Sequence, residues 1–309
     1  MKNTYFKVLT FLISFILILI GGEIITRMLY TSPFIPTDER NLLYQYDKQL
    51  GWFPIPNNEQ KFRGSQLINV KNNNLGFRDI THKKKRKKRI AFIGDSFVWG
   101  YDVEQHQRFT DILQSQLQDW EIINMGISGY GTDQAYLLLQ RWFDHFQPDI
   151  IFLLYNSDND LGENTHNKRY GYYKPYFIID NEQLKLKGVP VPVSMRYYHK
   201  KYPLTSKSKL AEFLFRYFQE EETIVKDPTR ILMKKIQEFV YSNGSIFYLA
   251  FINKGDKDQS CSFCEEEKIE HLFLTNSFKY DSFGNHWTPQ GHKFAAEKIY
   301  SFLQKSTFD

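Results

Sequence analysis

From Arg89 onward, the chain alternates between apolar runs of strand length and patterns of helical period. The strand-like runs end at Ile93, Asn124, Tyr155 and Phe251, and the helical patterns cover 109–117, 132–146, 229–241 and 289–303. This alternation predicts an α/β domain, in which helices cover both faces of a mainly parallel sheet. The length of 309 residues allows one large or two small domains, and a hydrophobic content of 42% is sufficient for a core.

A serine follows the first of these predicted strands. The apolar run 89–93 ends in Gly94-Asp95-Ser96-Phe97, so Ser96 is expected at the carboxyl end of a strand. Open α/β sheets bind their ligands at this edge. A serine hydroxyl placed there is a candidate nucleophile, provided that other segments supply a base and a site for an oxyanion.

Three further polar segments follow in the chain. A loop with three glycines, 125–132, comes after the predicted strand that ends at Asn124, and the polar run 156–160 comes after the strand that ends at Tyr155. His286 and His292 accompany the start of the last helical pattern. Serine, glycine, asparagine and histidine therefore occur in that order, three of them directly after strand-like runs.

In this order, the four segments resemble the SGNH, or GDSL, hydrolase superfamily. Its first block is similar to Gly94–Gly100, its second to Asn124–Gly129, its third to Asn159-Asp160 and its last to His286–His292. The segments 50–52 and 74–79 are similar to the lead-in of bacterial, membrane-tethered members. The resemblance covers about residues 50–303 and implies a three-layer, flavodoxin-like sandwich with a mainly parallel central sheet.

The resemblance implies a role for each segment. Ser96 is the expected nucleophile, and His286 is the expected general base, since imidazole titrates near neutral pH. The Ser96 N–H, the Gly129 N–H and the Asn159 side-chain amide are the expected donors of the oxyanion hole. This chemistry requires no cofactor and no metal, and the sequence shows no cluster of metal ligands.

The acid that would orient the histidine departs from the superfamily pattern. Members usually carry an aspartate two or three residues before the histidine, where this chain has Gly284 and Phe283. Asp281 is the nearest upstream acid and is the predicted third member of the triad. The alternative is a Ser–His pair whose histidine is oriented by a backbone carbonyl. His292 lies at the start of the last helix and is interpreted as structural.

The predicted activity is that of a serine esterase acting on small acyl esters, with O-acetyl groups on a cell-envelope glycan as the predicted substrate. In one alternative, the acyl group on Ser96 passes to a sugar hydroxyl, which would make the protein an O-acyltransferase. In another, suggested by the displaced acid, the protein is a non-catalytic glycan-binding or assembly protein. The chain lacks a Gly-x-Ser-x-Gly elbow, which argues against an α/β-hydrolase.

The N-terminal residues 1–30 predict a membrane anchor. Lys2 and Lys7 precede the apolar run from Val8 to Ile25, which as a helix would be about 27 Å long, enough for a bilayer core. A small-residue cleavage site is missing, so an uncleaved anchor is preferred to a cleaved signal peptide. The lysines before the span favour a cytoplasmic N-terminus, with the catalytic domain in the periplasm or outside the cell.

Two other features bear on partners. Cys261 and Cys264 form either a local disulfide in an oxidising compartment or two unpaired surface thiols. The run 83–89 carries seven positive charges, against a net charge of +5 for the chain, and is interpreted as a solvated loop. The predicted partners are an acyl ester, such as an acetylated glycan, and the membrane, but no nucleic acid. The oligomeric state stays open.

The predicted organisation has three parts. The anchor covers 1–30, a lead-in packed on the catalytic domain covers 31–85, and the catalytic domain covers 86–309 with an insertion at about 161–228. Tyrosines and phenylalanines crowd around Pro175 in this insertion. Their rings suit either sugar binding or packing onto the sheet.

Overall fold

The structure is a computed structural model that describes residues 2–30, 43–194, 197, 207–217, 221–253, 262–281 and 284–306. It divides into two compact units. The first comprises 1–38, 170–172 and 193–221, and the second comprises 39–169, 173–192 and 222–309.

In chain order, the helices are α1 (Lys2–Leu29), α2 (Ser96–Trp99), α3 (Phe109–Gln116), α4 (Thr132–Phe146), α5 (Ser157–Thr165), α6 (Lys209–Tyr217), α7 (Thr229–Ser242) and α8 (Pro289–Ser306). The strands are β1 (Tyr44–Asp47), β2 (Gly51–Pro54), β3 (Glu59–Arg63), β4 (Leu67–Lys71), β5 (Lys88–Ile93), β6 (Trp120–Asn124), β7 (Ile150–Tyr155), β8 (Lys168–Arg169), β9 (Tyr172–Tyr173), β10 (Tyr176–Asp180), β11 (Gln183–Lys187), β12 (Ile246–Phe251) and β13 (His271–Phe273).

A five-stranded sheet forms the centre of the second unit. Its strand order is β13-β12-β7-β5-β6, and every neighbouring pair is parallel. Counted along the chain, this is the order 2-1-3-4-5 of flavodoxin-like sheets. Helix α3 packs with α8, and α4 packs with α7, so that helices form two outer layers. The predicted three-layer α/β fold is confirmed.

The core on one side of the sheet is built from side chains that alternate along the strands. Ile90 and Phe92 of β5 and Phe152 of β7 are buried in one cluster with α3 and α8. The Phe92 ring lies 5.1 Å from the rings of both Phe109 and Phe152. Burial of each such side chain stabilises the fold by about 1.5–3 kcal/mol. This core therefore fixes β5 and β7, the strands whose carboxyl ends lead into the polar segments with Ser96 and Asn159.

The lead-in forms two antiparallel hairpins, β1–β2 and β3–β4. The first hairpin reaches the loop that follows β6: the Tyr130 hydroxyl donates to the Trp52 carbonyl at 2.5 Å, and the Gln134 side chain donates to the Leu50 carbonyl at 2.7 Å. Residues 31–42 of the predicted lead-in lie outside the described residues.

Two features follow β7 in the structure. Helix α5 begins at Ser157, within the polar run 156–160. Asn156 N–H donates to the Asp160 carboxylate at 2.9 Å, which stabilises this start although the helix lacks an apolar periodicity. In the insertion, β10 and β11 form a hairpin, and Tyr173 and Phe177 are buried, so these two rings serve packing.

Two residues of the basic run 83–89 form ion pairs with the rest of the domain. Arg89 is buried and lies 2.6 Å from the Glu121 carboxylate, and Lys85 lies 2.8 Å from Asp149. Lys83, Lys84 and the other residues of the run up to 88 are mostly exposed, as expected for a solvated loop. Cys264 is buried, not at the surface, and Cys261 lies outside the described residues.

Helix α1 dominates the first unit. A stretch of 27 residues, Asn3–Leu29, is long and apolar enough to cross a membrane, with a mean hydropathy of 2.6 in its best window and none of that window buried. A membrane anchor and a signal sequence both meet this description.

Candidate active site

The local structure after β5 places Ser96 at the edge of the sheet. Asp95 precedes the short helix α2, and its carboxylate accepts the Phe97 N–H at 2.9 Å. Ser96 is the first residue of this helix, so the helix does not use its N–H. Ser96 follows β5, which lies next to β7 at the point where the strand order of the sheet reverses. Ligands bind at such a switch point in open α/β sheets.

The imidazole of His286 lies directly against the Ser96 hydroxyl. Its Nε2 atom is 2.8 Å from Ser96 Oγ, although the two residues are 190 positions apart in the chain. Both side chains are buried. A serine and a histidine at this distance have the geometry for transfer of the hydroxyl proton to the ring.

Tyr101, Gly284 and Phe97 surround the imidazole ring of His286. The Tyr101 ring stacks on it, with centroids 4.2 Å apart and an angle of 22° between the planes. Gly284 lies so close to the ring that a Cβ atom there would be 2.4 Å from His286 Cε1. The Phe97 ring is 5.2 Å away. Neither Tyr101 nor the contact with Gly284 was expected from the sequence.

The glycine-rich loop after β6 packs against the serine turn. Ile127 N–H donates to the Gly94 carbonyl at 3.1 Å, and the Asn124 side chain donates to the Val98 carbonyl at 2.7 Å. A Cβ atom on Gly126 would come within 2.4 Å of the Trp99 nitrogen, so only glycine permits this approach. Gly129 follows in the same loop, in a turn closed by the Tyr130 N–H and the Ile127 carbonyl.

Asn159 lies in the first turn of α5 and is tied to the serine turn through Asp95. Its side-chain nitrogen donates to Asp95 Oδ2 at 3.2 Å, and the Asn156 side chain donates to the same oxygen at 3.2 Å. Burial raises the pKa of Asp95, and the hydrogen bonds from Phe97, Asn156 and Asn159 oppose that rise. Asp95 therefore holds one hydrogen of the Asn159 amide, and in the part of the chain that the structure describes no second acceptor binds this amide.

A chain of polar side chains continues from Asn156. Asn253 donates to the Asn156 side-chain oxygen at 2.6 Å, and Lys279 donates to Asn253 at 3.2 Å. Lys279 also lies over the Phe97 ring, 5.8 Å from its centroid. This network joins the ends of β7 and β12 to the segment before His286. No motif in the sequence marks Asn253 or Lys279.

The structure does not bring Asp281 to His286. Asp281 is exposed, and it forms no hydrogen bond or ion pair with any described residue. Lys279 forms an antiparallel bridge with Trp287, and the Tyr280 N–H donates to the His286 carbonyl at 2.8 Å. Asp281 therefore lies in the turn that connects these two paired segments. Residues 282 and 283 of the same turn lie outside the described residues.

His292 occupies a structural position, as expected. Its Nδ1 atom accepts the Phe109 N–H at 3.3 Å, and its ring stacks on the Phe109 ring. Burial, together with the charges of Arg108 and Arg78, lowers the pKa of His292 to about 3. A ring that stays neutral and buried in this way does not compete with His286.

Helix α5 carries further buried acids. Burial and the neighbouring charge of Asp95 raise the pKa of Asp160 well above its ordinary value. Burial also raises the pKa of Glu163, to about 8, although Arg169 lies 2.9 Å from its carboxylate. Among the described residues, no group of three or more histidine, cysteine or acidic side chains has the geometry to hold a metal ion.

Comparison with known families finds a similarity in the part of the chain that carries the serine motif. Residues 92–187 match the GDSL-like Lipase/Acylhydrolase family. The chain therefore contains a segment that is similar to GDSL-like lipases and acylhydrolases. The matched range includes Ser96, Gly129 and Asn159, whereas His286 lies beyond it. No curated protein matches the chain.

Solved structures with a similar fold are distant in sequence. A putative lipolytic protein of the G-D-S-L family from Desulfitobacterium hafniense shares 15% identity, over 70% of this chain and 100% of that one, with a TM-score of 0.44. Esterase EstA from Pseudoalteromonas shares 11% identity, over 72% and 100%, with a TM-score of 0.41. A two-domain esterase active on acetylated mannans shares 11% identity, over 72% and 50%, with a TM-score of 0.42.

Proposed function

We propose that this protein is a membrane-anchored serine esterase that hydrolyses small acyl esters, with O-acetyl groups on a cell-envelope glycan as its substrate. The observation that carries the proposal is the distance of 2.8 Å between His286 Nε2 and Ser96 Oγ. A free serine hydroxyl is a weak nucleophile, and an adjacent imidazole is the usual group that activates it.

In the proposed reaction, Ser96 Oγ attacks the acyl carbon while its proton passes to His286 Nε2. The tetrahedral intermediate collapses when the bond to the alcohol breaks and His286 returns the proton to the alcohol oxygen. Water then attacks the acyl carbon of the acyl-serine ester while one of its protons passes to His286 Nε2. The bond between the acyl carbon and Ser96 Oγ breaks, His286 returns the proton to Oγ, and the carboxylic acid is released. In each half of the reaction, His286 takes up one proton and releases it again, so the imidazole ends in its starting state.

The negative charge of the intermediate requires donors near Ser96. We assign this role to the Ser96 N–H, the Gly129 N–H and the free hydrogen of the Asn159 amide. The packing of the glycine loop against the serine turn supports the second assignment, and the hydrogen bond from Asn159 to Asp95 supports the third. Asp95 contacts no reacting atom and acts as a positioning residue for Asn159.

The enclosure of the reacting pair favours a short acyl group. Ser96 is 6% exposed and His286 is 5% exposed, with the rings of Phe97 and Tyr101 around the imidazole. An acetyl group needs little space beside these atoms, whereas a long chain would need an apolar channel. An acetylated polymer outside the cell is a substrate that an anchored enzyme can reach.

Contacts at the end of α1 support an uncleaved anchor. The Glu23 carboxylate accepts hydrogen bonds from Ser208, Lys209 and Leu210, near the start of α6. Removal of α1 as a signal peptide would leave these donors without their acceptor. Lys2 and Lys7 before the span support the proposed orientation, with the catalytic domain in the periplasm or outside the cell.

Ester hydrolysis is tested with the full-length protein in detergent and p-nitrophenyl acetate as substrate. We expect Ser96→Ala to lower kcat/KM by a factor of about 10³ or more, because the nucleophile is removed. Ser301→Ala, on the exposed side of α8, is the matched control and should keep the full rate. Retention of the rate by Ser96→Ala would rule out catalysis by this serine.

The products distinguish hydrolysis from transfer. With an acetylated oligosaccharide as donor and an unacetylated one as acceptor, the proposed esterase releases acetate in proportion to the donor consumed. Acetyl groups that appear on the acceptor instead would identify an O-acyltransferase. If no acyl ester reacts, the protein is a binding or assembly protein.

A further inference from the structure

Helix α6 packs against the C-terminal end of α1, the proposed membrane helix, within the first unit. Helix α6 contacts α1 from Gly22 to Tyr30: Gly22 lies against the Leu210 side chain, and the Tyr30 ring meets the Phe213 ring edge-on, with centroids 5.5 Å apart. The Arg27 guanidinium also donates to the Lys207 carbonyl at 2.8 Å. Packing contacts and a hydrogen bond therefore join the two helices along this whole stretch of α1.

The Glu23 carboxylate fixes the start of α6. It accepts the Ser208 hydroxyl at 2.7 Å and the backbone N–H groups of Lys209 and Leu210 at 3.0 Å each. The Ala211 N–H donates to the Ser208 hydroxyl at 3.0 Å. The first N–H groups of a helix have no partner within the helix, and a carboxylate is the ligand that this end prefers. Glu23 therefore sets the height of α6 along α1.

That height corresponds to the surface of a bilayer. Between Lys7 and Glu23, α1 contains no charged residue and rises about 24 Å. This rise matches a hydrocarbon core that thins slightly around the helix, with the Lys7 side chain extended towards the headgroups. The hydrocarbon core of a bilayer is about 30 Å thick, and the charged ends of a span lie in the headgroup layers. Because Lys7 and Glu23 mark the two ends of the span, α6 begins in the headgroup layer next to Glu23.

Helix α6 exposes apolar side chains at this level. Leu210, Phe213 and Leu214 follow the spacing i, i+3, i+4 of one helix face. Phe213 is 44% exposed and Leu214 is 50% exposed, although Glu212 of the same helix is buried and held by Lys209. A helix with such a face, located at the membrane surface, gains free energy when the face enters the boundary between headgroups and acyl chains.

We propose that α6 is an interfacial helix, which inserts Phe213 and Leu214 into the lipid next to the anchor and is locked to it by Glu23. The inference rests on the proposed anchor. It adds a second membrane contact, from a segment about 180 residues further along the chain. The occupant of the exposed face is lipid, because Glu23 fixes the start of α6 at the end of the apolar stretch of α1 that a membrane would cover.

The test uses nitroxide labels on the full-length protein in vesicles of equal parts phosphatidylcholine and phosphatidylglycerol. In a Cys261→Ala, Cys264→Ala background, one label is placed at Leu214→Cys, one in the span at Leu17→Cys and one at Leu67→Cys. Leu67 is an exposed leucine of strand β4, with 51% exposure, and serves as the matched control. The measurement compares spectral broadening by oxygen, which enters lipid, with broadening by a water-soluble nickel complex.

We expect the ratio of oxygen to nickel effects to be several-fold higher at positions 214 and 17 than at position 67. A ratio at 214 equal to that at 67, with position 17 still in lipid, would overturn the interfacial helix and leave the anchor intact. A label at 214 that neither reagent reaches would show a protein partner in place of lipid and would also overturn it. Water-exposed behaviour at position 17 would instead reject the anchor itself.

Discussion

The imidazole of His286 contacts an aromatic ring and a glycine. The Tyr101 ring covers one part of it at 4.2 Å, and Gly284 lies within van der Waals distance of Cε1. An acidic residue in a triad orients the ring and stabilises its charged form. In this protein, the aromatic and backbone contacts restrict the ring to the orientation in which Nε2 points at Ser96.

Substitution of Gly284 tests this restriction. Gly284→Ala should lower kcat/KM strongly, because the new Cβ would lie 2.4 Å from His286 Cε1 and displace the ring. Gly244→Ala is the matched control: Gly244 also has a positive φ, 74° against 85°, but nothing lies within 4 Å of the new Cβ. Both variants should lose about 1 kcal/mol or more of stability from backbone strain. Equal activity of the two variants would refute the steric role of Gly284.

Substitution of Asp281 tests the predicted triad. Asp281 is exposed and has no hydrogen bond to His286, so we expect Asp281→Asn to change kcat/KM on p-nitrophenyl acetate by less than about tenfold. Loss of the acid from a working triad lowers kcat by about 10⁴. A loss of that size, with an unchanged circular dichroism spectrum, would show that Asp281 orients His286 in the active enzyme.

At the scale of elements, α5 couples the site to a buried group of acids. The helix carries Asn159 on its first turn, and Asp160 and Glu163 follow on the same helix. Lys174 donates to the Glu163 carbonyl at 2.9 Å and also pairs with the buried Asp133 of α4. The position of the Asn159 amide therefore depends on a polar interior whose charge changes with pH.

The sign of this pH dependence follows from Glu163. Its pKa is raised from 4.5 to about 8 by burial, so the folded protein keeps a proton that the unfolded chain has already lost. This contribution to stability is fully present below pH 4.5 and is lost as the pH rises through about 8. We expect Glu163→Gln, which is neutral throughout, to show a smaller fall in Tm between those pH values than the wild type.

Glu265→Gln is the control for this experiment, since Glu265 is exposed. Its Tm should follow the wild-type profile across the whole range. Because burial also raises the pKa values of Asp160 and Asp95, Glu163→Gln should remove only part of the slope. An unchanged slope in Glu163→Gln would mean that Glu163 is ionised in the folded protein at neutral pH.

The sequence was sufficient to predict the central elements. Strand β7 is an unbroken apolar run that is buried on both faces, and α4 repeats its apolar residues with helical period. The hairpins β1–β4 lack such signals; in β3 only Phe62 is buried, so period and composition do not separate it from a loop. Helix α5, with the sequence SDNDLGENT, forms through its buried polar contacts, which no local pattern reveals.

For the site, the sequence predicted residue types and order but not their surroundings. Ser96 and His286 follow from motifs, and the structure brings them together. Tyr101 and Lys279 contribute through contacts between segments far apart in the chain, which a single sequence does not encode in any local signal. The roles of Gly129 and Asn159 in the oxyanion hole stay predictions.

At the scale of the whole molecule, the anchor predicts where the protein is found. Full-length protein should remain in the membrane pellet after alkaline carbonate extraction and should retain its N-terminal residues, because Glu23 is bonded to residues 208–210. The measurement is mass spectrometry of the N-terminal peptide from the pellet. Mature protein in the soluble fraction, beginning beyond Gly22, would show that α1 is a signal peptide.

The 190-residue separation between Ser96 and His286 has a consequence for synthesis. During synthesis, Ser96 leaves the ribosome long before His286, which lies in the segment just before helix α8. A nascent or C-terminally truncated chain thus carries an unactivated hydroxyl. Ester cleavage would begin only after the segment with His286 has been made and has folded onto the sheet, so proteolytic loss of that segment would abolish the activity and leave the nucleophile intact.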